Sequence, residues 1–112
     1  MTVPANFSAH IGEDFTILET IYSDAAKTTP EDITDWSVSF IVHAIGSTTA
    51  LITKTVGNGI VLTTPASGLL TITVLAADTA NLAANQYLYS ISRTDAGADA
   101  VLTEGFITLL GR

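Results

Sequence analysis

Histidine is the side chain best suited to general acid–base work near neutral pH, and this 112-residue sequence has two, His10 and His43. A predicted strand and a loop separate them. No serine or carboxylate is spaced from either as a charge-relay arrangement requires. Each reads as a surface or strand-face histidine. The sequence holds no G-x-S-x-G elbow, no glycine-rich phosphate loop and no H-E-x-x-H helix. It also holds no cysteine, which excludes a disulfide scaffold and a thiol nucleophile and leaves too few ligands for a structural zinc ion. The expectation is a protein that is not an enzyme and carries no cofactor.

Carboxylates are the remaining candidates. Glu13 with Asp14, Glu31 with Asp32 and Asp35, and Asp95 with Asp99 fall in predicted loops, where a hard cation such as calcium would find oxygen ligands. None follows the twelve-residue calcium-loop pattern, and "DAGAD" (Asp95 to Asp99) has no further acidic ligands beside it. The competing reading is turn chemistry, in which Asp accepts local backbone hydrogen bonds. Asp32 and Asp35 flank the only tryptophan, Trp36, and this group could bind a sugar if the indole ring were exposed to stack on it.

The charge balance restricts partners. Four basic against 11 acidic residues give a formal charge of −7, which opposes a phosphate backbone or an anionic membrane surface. No stretch has the length or apolarity of a signal peptide or a membrane span, so a soluble chain made in the cytoplasm is expected. Charged residues are 13% of the chain while apolar ones reach 47%, so the polar remainder is largely Thr, Ser and Asn. Surfaces poor in Lys and Glu resemble those proteins present to other proteins, which points to self-association or permanent docking; the competing reading is a stable monomer with a threonine-rich β surface.

The elements that would hold these residues are strands. Short β-branched and aromatic runs separated by Gly, Asp, Asn, Pro and Ser read as an all-β sandwich or barrel: Phe7 to His10, Phe15 to Tyr22, Trp36 to His43, Leu51 to Val56, Ile60 to Thr63, Leu69 to Leu75, Gln86 to Thr94 and Val101 to Leu109. That is seven or eight strands in one domain spanning residues 1–112. Gly57-Asn58-Gly59 predicts a tight hairpin; Thr64 to Gly68 predicts a turn; Asp95 to Asp99 predicts a longer hairpin loop. The longest link is Ser23 to Asp32. One short helical turn is expected within residues 76–85, where Asp78 could cap it.

A period of two puts Trp36, Val38, Phe40 and Val42 on one face of their strand and Ser37, Ser39, Ile41 and His43 on the other. The first set is predicted core, with Trp36 its anchor. Leu70, Ile72 and Val74 form a second inward stripe, and Tyr87, Tyr89 and Ile91 a third.

The segment "DTANLAANQYLYSI" resembles the approach to strand F of an immunoglobulin-like domain. There, a tyrosine hydroxyl bonds back to the corner backbone. The resemblance makes Tyr87 the corner tyrosine, sets Tyr89 where antibody domains carry the second disulfide cysteine, and likens Trp36 to the buried strand-C tryptophan. Both cysteines are lacking, so the likeness is to the wider class, a two-sheet antiparallel immunoglobulin-like sandwich. The order "DITDW", "GNGIVL", "DTANLAANQYLY" and "LTEGFITLL" is similar to small immunoglobulin-like virion proteins of tailed bacteriophages, and to the N-terminal immunoglobulin-like domain of phage baseplate upper proteins.

That resemblance implies a non-catalytic docking and assembly module in a tail, baseplate, neck or capsid decoration. It implies other virion proteins and copies of itself as partners, with no nucleic acid or membrane, and the virion as location. The first strand, Phe7 to Ile11, and the last, Val101 to Leu109, would be the edges that exchange or add. A small carbohydrate- or surface-binding module remains the alternative.

Overall fold

The computed structural model of the protein describes residues 6–23 and 28–111. Eight strands run in the order β1 (Asn6–His10), β2 (Phe15–Thr20), β3 (Val38–Ala44), β4 (Ala50–Val56), β5 (Gly59–Thr64), β6 (Leu69–Val74), β7 (Asn85–Arg93) and β8 (Ala100–Leu110). A single helical turn, α1 (Ala76–Thr79), stands between β6 and β7, and a 3₁₀ turn, Pro65–Ser67, precedes β6. The protein is all-β.

The ladder is one sheet, in the order β1-β8-β7-β3-β4-β5-β6-β2, curled into a nearly closed barrel. Its edges are β1 and β2, whereas β8, expected at an edge, is paired on both sides, with β1 and β7. The sequence expectation of wholly antiparallel sheets is corrected at two joints. β1 lies parallel to β8, from Asn6 beside Phe106 to His10 beside Leu110. β4 and β5 meet in parallel over two residue pairs, Thr55 with Gly59 and Val56 with Ile60. The hairpin expected at Gly57-Asn58-Gly59 is therefore a coil that brings the chain back beside itself in the same direction. Its cause is two positive φ angles, 87° at Gly57 and 100° at Gly59, a conformation glycine adopts without steric cost. β5 is thereby released to pair with β6.

Every strand contributes to one core. Ala9, Ile17, Val38, Phe40, Val42, Ile52, Ile60, Leu70, Ile72, Val74, Tyr87, Tyr89, Ile91, Ile107 and Leu109 are buried, as the period of two requires. Two further members lie outside the strands: Ile21 and Ile33, the latter from the β2–β3 link. That link is not a free loop, although residues 24–27 lie outside the described residues. Tyr22 bridges Pro30, the Glu31 N–H donates to the Ile21 carbonyl, and the Ile33 N–H donates to the Pro65 carbonyl. Gly68, at φ 76°, closes the 3₁₀ turn, and its carbonyl accepts the Ile21 N–H.

Candidate functional site

Trp36 sits in the turn ahead of β3, its N–H donating to the Ile33 carbonyl at 3.0 Å. It is half-buried and packs against the core from the rim, which corrects its expected place as a fully buried anchor. The indole is amphipathic and its strand has not yet begun. The Arg93 guanidinium lies over the ring, its Cζ 4.0 Å from the centroid. Arg93 Nε is 2.7 Å from Asp95 Oδ2, the same oxygen that accepts the Ser37 N–H at 3.0 Å. The Arg93 hydrogen bond, then that from Ser37, holds the Asp95 carboxyl below its ordinary range. The β7–β8 hairpin is thus stapled to the start of β3.

The other acidic loops are turn chemistry of the same kind. Asp32 Oδ1 accepts the Thr34 hydroxyl and the Thr34 N–H, and both lower its carboxyl, the hydroxyl more. Asp35 adopts φ 63°, a left-handed conformation Asp tolerates better than most residues. Asp14 Oδ1 accepts the Ala76 N–H at 2.6 Å, and the β7–β8 turn holds Asp95 and Asp99 apart in roles, with Ala98 N–H donating to the Asp95 carbonyl. Among the described residues no three His, Asp or Glu side chains converge as a cation would require. The histidines do not meet either: β8 and β7 separate β1, which carries His10, from β3, which carries His43.

Asp78 caps α1 from its third position rather than from the N-cap: its Oδ2 accepts the Leu75 N–H at 2.8 Å. It also pairs with Lys54 Nζ on β4 at 2.7 Å. Burial alone pushes this carboxyl up, but the Lys54 ammonium and the Leu75 N–H outweigh burial and hold it low.

Tyr87 is buried, and its hydroxyl donates to the Ala83 carbonyl, four residues back, at 2.8 Å. Tyr89 and Phe40 pack in the core with ring centroids 5.9 Å apart. Burial pushes the Tyr89 hydroxyl up, and the charge of Glu19 acts in the same direction. Glu19, on β2, is only 1% exposed and was not singled out from the sequence. The signal is the alternation of Ile17, Glu19 and Ile21, which puts a carboxylate on the inward stripe.

Two outer faces of the sheet remain. On β2, β6 and β5 the outward residues are Thr16, Leu18, Thr20, Leu69, Thr71, Thr73, Val61 and Thr63, a face without a charged side chain. Leu18, Thr71 and Val61 share one row across the three strands. Its two ends are 65% and 62% exposed. On β3, β7 and β8 the outward surface is concave, forming an open hollow of about 690 Å³ lined by His43, Leu88, Ser90, Val101, Glu104 and Phe106. No protein-family model and no curated protein matches the chain.

Proposed function

We propose that this protein is a non-catalytic docking and assembly module of a tailed-phage particle, built as an immunoglobulin-like sandwich. The strand order supports the sandwich reading. The two-pair β4–β5 joint divides the sheet into a five-strand part, β1-β8-β7-β3-β4, and a three-strand part, β5-β6-β2, whose neighbours β8-β7-β3 and β5-β6-β2 follow the G-F-C and D-E-B order of immunoglobulin-like sheets. Tyr87 bonded to Ala83 at the corner before β7 adds to it.

The observation that carries the functional reading is the uncharged β2-β6-β5 face. On a chain of charge −7, two copies repel wherever their acidic loops approach. This face lets them meet without opposing carboxylates, and Leu18, Val61 and Leu69 supply apolar area to bury. A homo-oligomer seated among other virion proteins follows. Sugar binding is the weaker reading, because Arg93 already covers the Trp36 ring on which a sugar would stack.

Light scattering after size exclusion tests the assignment. A closed oligomer that Leu18→Glu and Val61→Glu each reduce to monomer is the expected result. A wild-type chain that is monomeric at every concentration would overturn it.

A further inference from the structure

We infer that the hollow on the outer face of β3, β7 and β8 receives an arginine side chain from a neighbouring protein. This goes beyond the self-association proposed above and uses the opposite part of the sheet, so either can fail without the other.

The hollow arises from side-chain size. Ser90 stands at its centre, in register with Ile41 on β3 and Glu104 on β8. The next row, His43, Leu88 and Phe106, is larger, and Val101 rises at the other end, 62% exposed. A small residue ringed by large ones makes a depression with an apolar wall. Its polar groups can all accept. The His43 Nδ1 lies 3.0 Å from the Ala44 carbonyl; a carbonyl only accepts, so Nδ1 carries the proton and Nε2 is left as the acceptor in the neutral ring. Ser90 offers a hydroxyl, and the Glu104 carboxylate has no hydrogen-bond or ion-pair partner among the described residues.

An apolar wall with a carboxylate at its rim matches a side chain with a long aliphatic stem and a cationic head. Arginine fits better than lysine. Its planar guanidinium stacks on an aromatic ring such as Phe106 and donates two parallel hydrogen bonds to one carboxylate. The described residues of this chain supply no such group. Among the described residues Lys54 is held by Asp78 and Arg93 by Asp95, each at 2.7 Å, so neither is available to Glu104. The charge of −7 favours a basic partner over another copy.

The test is titration of the isotope-labelled protein with N-acetyl-arginine methylamide, followed by backbone amide shifts in low-salt buffer. The expected result is saturable shifts at Leu88, Ser90, Glu104 and Phe106. Affinity should fall about threefold in Glu104→Gln, the scale of a partly solvated ion pair, and the shifts should vanish in Ser90→Leu, which fills the hollow. Glu104 and Ser90 both point out of the core, so neither change endangers the fold. The absence of saturable shifts at these amides would overturn the inference. So would equal binding of N-acetyl-leucine methylamide, which would make the hollow apolar and unselective. Shifts at these amides that grow with protein concentration alone and disappear in Arg112→Ala would also overturn it, by showing that a second copy is the occupant.

Discussion

The Arg93 guanidinium lies over the Trp36 ring, its Cζ 4.0 Å from the centroid. Trp36 thus packs against the core while its ring also meets a cation that Asp95 holds in place. Removing the cation should be visible in the indole itself. Arg93→Ala is expected to shift tryptophan emission to the red, raise its quenching by acrylamide and lower stability by about 1 kcal/mol, the scale of a partly exposed cation–π contact. Unchanged emission would mean that the pair does not persist in solution.

Two glycines with nearly equal backbone angles should respond unequally to alanine. Gly68 has φ 76° and Gly97 φ 79°. A Cβ at Gly68 would meet the Ile21 carbonyl oxygen at 2.4 Å and that of Glu31 at 2.8 Å, whereas one at Gly97 would meet nothing within 4 Å. Gly97→Ala should cost about 1 kcal/mol for the left-handed conformation alone. Gly68→Ala should cost at least about 2 kcal/mol more, by analogy with other forced shifts in packed backbone. Urea midpoints compared at constant slope would measure both, and equal costs would show that the β2–β3 link yields easily.

Tyr87→Phe deletes the donor to Ala83 while preserving the ring. A loss of about 1 kcal/mol is expected from one hydrogen bond, with faster amide exchange at the start of β7. A neutral substitution would mean that ring packing alone fixes the corner.

The pH dependence has two limbs. Lowered Asp78 binds protons less readily folded than unfolded. Its contribution is therefore present above the ordinary aspartate value and lost as pH falls below it. Lys54→Met should shrink this acid limb. Tyr89 is raised, so the unfolded chain loses that proton first. Stability from this group is complete below about pH 10 and declines as pH rises beyond it. Tyr89→Phe should flatten the alkaline limb. Thermal melts across pH would check both signs, and a wild-type alkaline limb identical to that of Tyr89→Phe would contradict the second.

Strand positions were readable because alternation is local: Leu70, Ile72 and Val74 announce an inward stripe without knowledge of any partner. Pairing was not, since nothing near Asn6 specifies that it runs beside Phe106. Gly57-Asn58-Gly59 marked a sharp change of path correctly, but whether the chain reverses or coils depends on where β5 finds its neighbour. Ile33 was hidden because it stands alone among polar residues, with no period to reveal it. Of the candidate surfaces, the low charge was legible in composition. The uncharged face and the hollow were not, because each gathers residues from three strands whose register only the fold provides.

The parallel pairing of β1 with β8 has a mechanical consequence. Asn6 leads its strand beside Phe106, and Leu110 ends its strand beside His10. Tension drawn through the chain from β1 at one end and β8 at the other therefore slides the two strands along each other. All five residue pairs carry the load together, where an antiparallel hairpin would peel open one pair at a time. A module joined to its surroundings through these strands would resist stretching well beyond what its thermodynamic stability alone suggests.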